Sequence, residues 1–289
     1  MNSRWKDDEF SIQRGEAREL CAEALRPLEK SVIGLFLTAT DCSLDLTKYH
    51  PEQIVSYGTG ILVEVDNRHF IATCGHILDG PSPRIFMSAE EPLYTLEGAM
   101  PKNGLLVGKE DEGSERVDVG LIEVLPEFFV ERGRSFYKLN RNFPCLTEGE
   151  RILFVIGHVG KYSSSSIVNR TQSGIWLPSS VQGLQQTVPK AVIPIFEVNE
   201  VFDGFFCCEL DVYSLTESEE TPIATGGCSG GPVFLAAACG AFEGNPDGFL
   251  LVGIQSHQVT SGSSSQLIFQ TIERWLRFHD SVVEVSEGI

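Results

Sequence analysis

TGGCSGGPVF, residues 225–234, sets a cysteine, Cys228, directly beside a serine, Ser229, inside a run of glycines, and follows them with a proline and two apolar residues. Gly227 tolerates backbone dihedrals closed to other residues, so its N–H and that of Ser229 can turn toward one point. Two convergent N–H groups make an oxyanion hole, which stabilises charge developing on a carbonyl under attack. Gly230 and Gly231 let a substrate and a facing strand approach closely, and Pro232 fixes the exit into the strand VFLA. A nucleophilic serine needs a base, and the base needs an orienting group.

Both are found upstream. FIATCGHILDG presents His76 at the end of a strand, and SERVDVGLIEV presents Asp118 at the start of an alternating strand behind an acidic loop. The chain order His, Asp, Ser is one of the convergent orders of a catalytic triad. The scaffold around these blocks reads as β. GILVEVDNRHFIATC is two β-rich runs joined through Asp66-Asn67, and RILFVIGHV, FFCCELDVY, GPVFLA and FLLVGIQSH are further short strands. GKYSSSSIVNR, SLTESEET and TSGSSSQ read as exposed loops.

Only two segments carry a helical period. Between Asp8 and Pro27, Ala17, Leu20, Cys21, Ala24 and Leu25 recur at three-and-four spacing, with Leu28 continuing the stripe. QLIFQTIERWLRFHD suggests a second helix with Leu267, Ile268, Thr271, Trp275 and Phe278 on its buried side. Many short strands and few helices indicate an all-β architecture.

Composition narrows the partners. The 289 residues carry 40 acidic against 22 basic side chains, a formal charge of -18, which repels phosphate backbones and anionic lipid surfaces. Neither nucleic acid nor membrane is expected as a partner. MNSRWKDDEFSIQRGEAREL lacks the apolar core of a signal peptide, and the eight cysteines show neither a disulfide framework nor a CxxC pair. Reduced thiols and a cytoplasmic location are the expectation, with no metal and no cofactor. Cys207 and Cys208 are read as small buried hydrophobes on opposite faces of a strand.

GTGILVEVDNRHFIATCGHILDG, VDVGLIEV and GGCSGGPVF together resemble the three signature blocks of the chymotrypsin-like (trypsin-like) serine peptidases, the intracellular bacterial type above all. The resemblance covers residues 31–279. It implies two six-stranded antiparallel β-barrels, the first over about 31–140 and the second over about 150–265. A C-terminal helix over about 266–279 follows, then a tail over 280–289, with a helical extension over 1–30 in front. It further implies that His76, Asp118 and Ser229 form the triad, that Gly227 and Ser229 form the oxyanion hole, and that the substrate is a protein or peptide.

The nucleophile follows from register. Gly230-Gly231 follow Ser229 and not Cys228, so a cysteine peptidase using Cys228 is the lesser alternative, and a catalytically latent module acting in protein binding is another. Secreted relatives commonly carry an Asp before the serine, which pairs with a new N-terminus. Cys228 cannot make that ion pair, so any activation falls to a protein partner or ligand that orders the loops around Ser229. The resemblance also puts Ile223 at the floor of the specificity pocket, with Ser256, His257 and Gln258 at its rim. Without an acidic floor, a pocket for Lys or Arg is not expected. His158 is set aside as a structural or surface group.

Overall fold

Ile61, Val63 and Val65 point one way and Leu62 the other, and this period of two runs through every long strand of the N-terminal half. The computed structural model describes residues 28–38, 54–78, 84–88, 94–99, 107–110, 117–141, 146–158, 168–170, 176–178, 190–210, 229–236, 248–261 and 264–287. The N-terminal helix expected between Asp8 and Pro27 lies outside the described residues, although Leu28 is buried as anticipated.

The first sheet contains β1 (Val32–Thr38), β2 (Ile54–Val65), β3 (Arg68–Thr73), β4 (Arg84–Ser88), β5 (Tyr94–Thr95), β6 (Val107–Glu110), β7 (Val119–Glu123) and β8 (Tyr137–Lys138). Its order is β5-β4-β1-β2-β3-β7-β6, with β8 added alongside β2. The β2–β3 turn is the expected two-residue hairpin, in which Asp66 (φ 50°) and Asn67 (φ 64°) both adopt the left-handed conformation that such a turn requires. A short helix α1 (Pro126–Val130) separates β7 from β8.

The second sheet begins with β9 (Gly149–His158). A separate two-stranded pair, β10 (Val168–Arg170) and β11 (Trp176–Pro178), intervenes. There follow β12 (Lys190–Val198), β13 (Glu200–Phe202), β14 (Phe205–Leu210), β15 (Pro232–Ala236), β16 (Phe249–Ser261) and β17 (Ser264–Thr271). Their order is β12-β9-β15-β16-β17-β14-β13.

The expected pair of six-stranded sheets is present as long strands, and the extras are short: β5 and β8 have two residues each and β13 has three. Two details differ from expectation. The β2–β8 pairing is parallel, and among the described residues neither hydrogen-bonded path closes on itself into a full barrel.

The C-terminal boundaries also differ. QLIFQT, assigned to a helix by its apolar stripe, is strand β17, with Leu267 and Phe269 on one side in the core of the second sheet. The helix α2 starts later, at Ile272, and continues through the supposed tail to Glu287. Thr271 marks the switch: its hydroxyl accepts the Arg274 N–H at 3.2 Å, an N-cap overlooked in favour of periodicity. The described residues of serine-rich TSGSSSQ, read as a loop, are likewise strand: β16 runs to Ser261 and β17 starts at Ser264, and these two serines pair. The ladder is made by backbone groups and so tolerates a serine-rich sequence.

Three cores result. One belongs to the first sheet (Ile33, Leu62, Ile71, Ile122, Phe129) and one to the second (Leu153, Val155, Phe206, Val233, Phe269). The third is shared, joining Phe70 and Leu121 of the first sheet to Phe154 and Phe234 of the second and to Trp275 and Leu276 of α2. Strand β7 is therefore buried on both faces instead of alternating buried with exposed. Tyr137 adds a polar link between the sheets, accepting from Leu251 N at 3.1 Å and donating to Phe249 O at 3.3 Å. Cys207 and Cys208 are both buried, as expected of small hydrophobes. Among the described residues, no helix is long and apolar enough to cross a membrane.

Candidate active site

Strand β3 ends at Thr73, and the chain turns through a short 3₁₀ segment, Gly75–Leu78, that carries His76. Asp118 immediately precedes β7, which lies beside β3 in the sheet, so the two residues meet at one sheet end. The Asp118 carboxylate grips His76 twice: Oδ1 accepts the His76 backbone N–H at 2.8 Å and Oδ2 accepts Nδ1–H at 2.7 Å. That places the ring proton on Nδ1 and leaves the Nε2 lone pair to act as a base. Asp118 is 6% exposed. Burial alone would raise its pKa, but hydrogen bonds and charge from His76, a bond from Ser256 and the His76 backbone N–H outweigh it and bring the carboxyl to about 2.

The third donor to Asp118 is Ser256, whose hydroxyl reaches Oδ2 at 2.6 Å. Ser256 was expected at the rim of a substrate pocket. Its side chain is fully buried and donates to the carboxylate. The cause is a bulge: Gln255 pairs with Phe269 and His257 with Ile268, so Ser256 is the extra residue on β16. The bulge breaks strict alternation and brings two consecutive side chains to one site. His257 Nδ1 lies 2.5 Å from Ser256 Oγ, and its ring centroid lies 5.3 Å from that of His76. Gln258 continues the strand opposite Leu267.

Ser229 and Gly230 form a half-buried turn at the seam between the sheets. Thr59 N–H of β2 donates to Ser229 O at 2.7 Å, Gly230 N–H donates to Gln255 O at 2.7 Å, and Gln255 N–H donates to Gly231 O at 2.8 Å. Gly230 has φ +82°, and a Cβ there would collide with Thr59 O and Thr73 Oγ1, atoms already joined by a 2.8 Å hydrogen bond. The Ile77 side chain would lie 3.1 Å from the same Cβ. The turn bearing Ser229 therefore packs on the turn bearing His76. Ile223, Gly227 and Cys228 lie outside the described residues. His158 ends β9, where it pairs with Lys190.

Cys74 was not singled out from the sequence. It is fully buried, with its sulfur 3.9 Å from His76 Nε2. Burial first, and then the Asp118 charge, push the thiol well above its usual range, so it stays protonated. Cys74, His76 and Asp118 bring their ligand atoms within 4.8 Å of one another. A metal there would have to break the Asp118–His76 bond and ionise a thiol beside a carboxylate, so the donor set suits proton transfer better than coordination.

No family model matches the chain, and no curated protein matches it. Among solved structures it is similar to the Rv3671c protease in its inactive form, at 14% identity and a TM-score of 0.45, covering 90% of this chain and 92% of that one. It is also similar to kallikrein-related peptidase 10, at 13% identity and a TM-score of 0.47 (90% and 98% covered). Human heparin binding protein follows at 12% and 0.47 (89% and 93% covered). By its own hydrogen bonding the chain is mostly β: an eight-stranded and a seven-stranded sheet, antiparallel but for the β2–β8 pair, joined through a shared core.

Proposed function

We propose that the chain is a serine endopeptidase that cleaves protein or peptide substrates through an acyl-enzyme. What carries the reading is the doubly bonded Asp118–His76 pair, with the turn bearing Ser229 packed against the turn bearing His76. His76 Nε2 takes the Ser229 hydroxyl proton as Oγ attacks the substrate carbonyl. The N–H groups of Gly227 and Ser229 hold the resulting oxyanion. His76 then gives its proton to the leaving amine, and the same steps with water release the acid and regenerate the serine. Asp118 holds the imidazole in the competent tautomer and stabilises the imidazolium. A protein partner or ligand that orders the loops around Ser229 would serve as the activator.

A fluorophosphonate tests this reading, because it reacts with a hydroxyl that is activated by a base and faced by an oxyanion hole. Ser229 of the folded chain should be labelled. Ser229→Ala should abolish labelling, and Cys228→Ala should leave most of it. Labelling that survives Ser229→Ala would overturn the assignment.

A further inference from the structure

We infer that His257 is a positioning residue for the proposed catalytic pair: it is wired to Asp118 through Ser256, and a positive charge on its ring opposes protonation of His76. The inference rests on the peptidase reading of the site for its meaning, but not for its test.

Proton counting fixes the wiring. A hydroxyl has one proton to give, and Ser256 gives it to Asp118 Oδ2, since an ionised carboxylate can only accept. The 2.5 Å contact with His257 must therefore run the other way, with Nδ1–H of His257 donating to Ser256 Oγ. The chain of donors is His257 to Ser256 to Asp118, met from the opposite side by His76. With one ring proton committed on Nδ1, a second proton can only go to Nε2, and the ring is 51% exposed.

The ring is also close enough to matter. His257 Nδ1 stands 3.7 Å from Asp118 Oδ2, and the two imidazoles lie 5.3 Å apart at a tilt of 37°, so both draw on one carboxylate. The titratable groups seen in contact with the His76 ring are Asp118 before β7, His257 on β16 and the protonated Cys74 thiol after β3. Across the strand stands apolar Ile268. The bulge at Ser256 makes the arrangement specific to this strand, because on a regular strand Ser256 and His257 would face opposite sides.

The test is an imidazole NMR titration of the ¹⁵N-labelled full chain in a Ser229→Ala background, which needs no turnover. It compares His257 with His257→Asn and His257→Phe. Asparagine keeps an N–H donor near the Nδ1 position without a titrating charge, and phenylalanine removes both. In His257→Asn the protonation midpoint of His76 should rise by about one pH unit, the size expected for unit charges at this separation in a partly solvated site. With Ser229 restored, the acid limb of kcat/KM should rise by the same amount. His257→Phe should lower kcat several-fold even on the alkaline plateau, and His257→Asn should recover most of that loss. A His76 midpoint identical in the His257 and His257→Asn proteins overturns the inference. A shifted midpoint in a protein that never hydrolyses a substrate would leave the coupling standing and sink the peptidase reading instead.

Discussion

The indole Nε1–H of Trp275 donates to the carbonyl oxygen of Gly120 at 3.0 Å, tying helix α2 to strand β7 two residues beyond Asp118. Trp275 is fully buried, with its ring stacked near His279 and edge-on to Phe70. Phenylalanine would fill much of the space but leave the Gly120 carbonyl without this donor. Trp275→Phe should therefore cost on the order of 2–3 kcal/mol in urea denaturation. A midpoint equal to that of the parent would mean that the bond contributes nothing.

Gly230 offers a sharper test of the seam. Its φ of +82° and the Thr59 and Thr73 oxygens leave no room for a methyl group. Gly230→Ala should destabilise the chain by about 3 kcal/mol or more and abolish fluorophosphonate labelling at Ser229. Thr73→Val removes the hydroxyl that donates to Thr59 and also bonds the Cys74 thiol, and should cost about 1–2 kcal/mol, with labelling reduced. Thermal unfolding and labelling of the same samples give both readouts.

The Asp118 carboxyl ties stability to acid. Its pKa is lowered on folding from 3.8 to about 2, so the folded chain binds the proton less tightly than the unfolded chain. The stabilisation is complete above about pH 4 and is lost as pH falls toward 2, amounting to about 2 kcal/mol. In Asp118→Asn the slope of unfolding free energy between pH 4 and pH 2 should become shallower by that amount. Chemical denaturation across this range checks it, and parallel slopes would contradict it.

For turnover, Ser229→Ala should lower kcat by about 10⁴-fold or more. His76→Ala should cost about as much without adding to it in the double variant, since triad members act together. Asp118→Asn should cost about 10⁴-fold through the wrong imidazole tautomer. Multiplicative losses in the double variant would argue against a shared step.

Cleavage preference reports on Ile223. With no carboxylate at the expected pocket floor, a peptide library should be cut mainly after uncharged residues. Dominant cleavage after Lys or Arg would show that the floor lies elsewhere.

What the sequence made legible was governed by local chemistry. Asp66-Asn67 announced a tight hairpin, and the left-handed turn follows from those residue types. His76 and Asp118 stood at strand ends, and neighbouring strands brought them together. The bond from Ser256 to Asp118 was not foreseen because a bulge is a property of two paired strands, which Gln255-Ser256-His257 alone does not reveal. Leu267 and Phe269 were misread because a short apolar run fits both periods, and only the cap at Thr271 separates strand from helix. Cys74 went unnoticed because its interest lies in its distance from the His76 ring, which no spacing rule encodes.

The shared core has a consequence for the timing of synthesis. A growing chain emerges N-terminus first, so His76 and Asp118 leave the ribosome long before the segment that bears Gln255, Ser256 and Trp275. Yet Gln255 pins the turn after Ser229, Ser256 completes the carboxylate's donors, and Trp275 closes the core across both sheets. A nascent chain thus carries His76 and Asp118 without the frame that holds them. Assembly of the cluster around Asp118 therefore waits until the segment bearing Ser256 and Trp275 has been made.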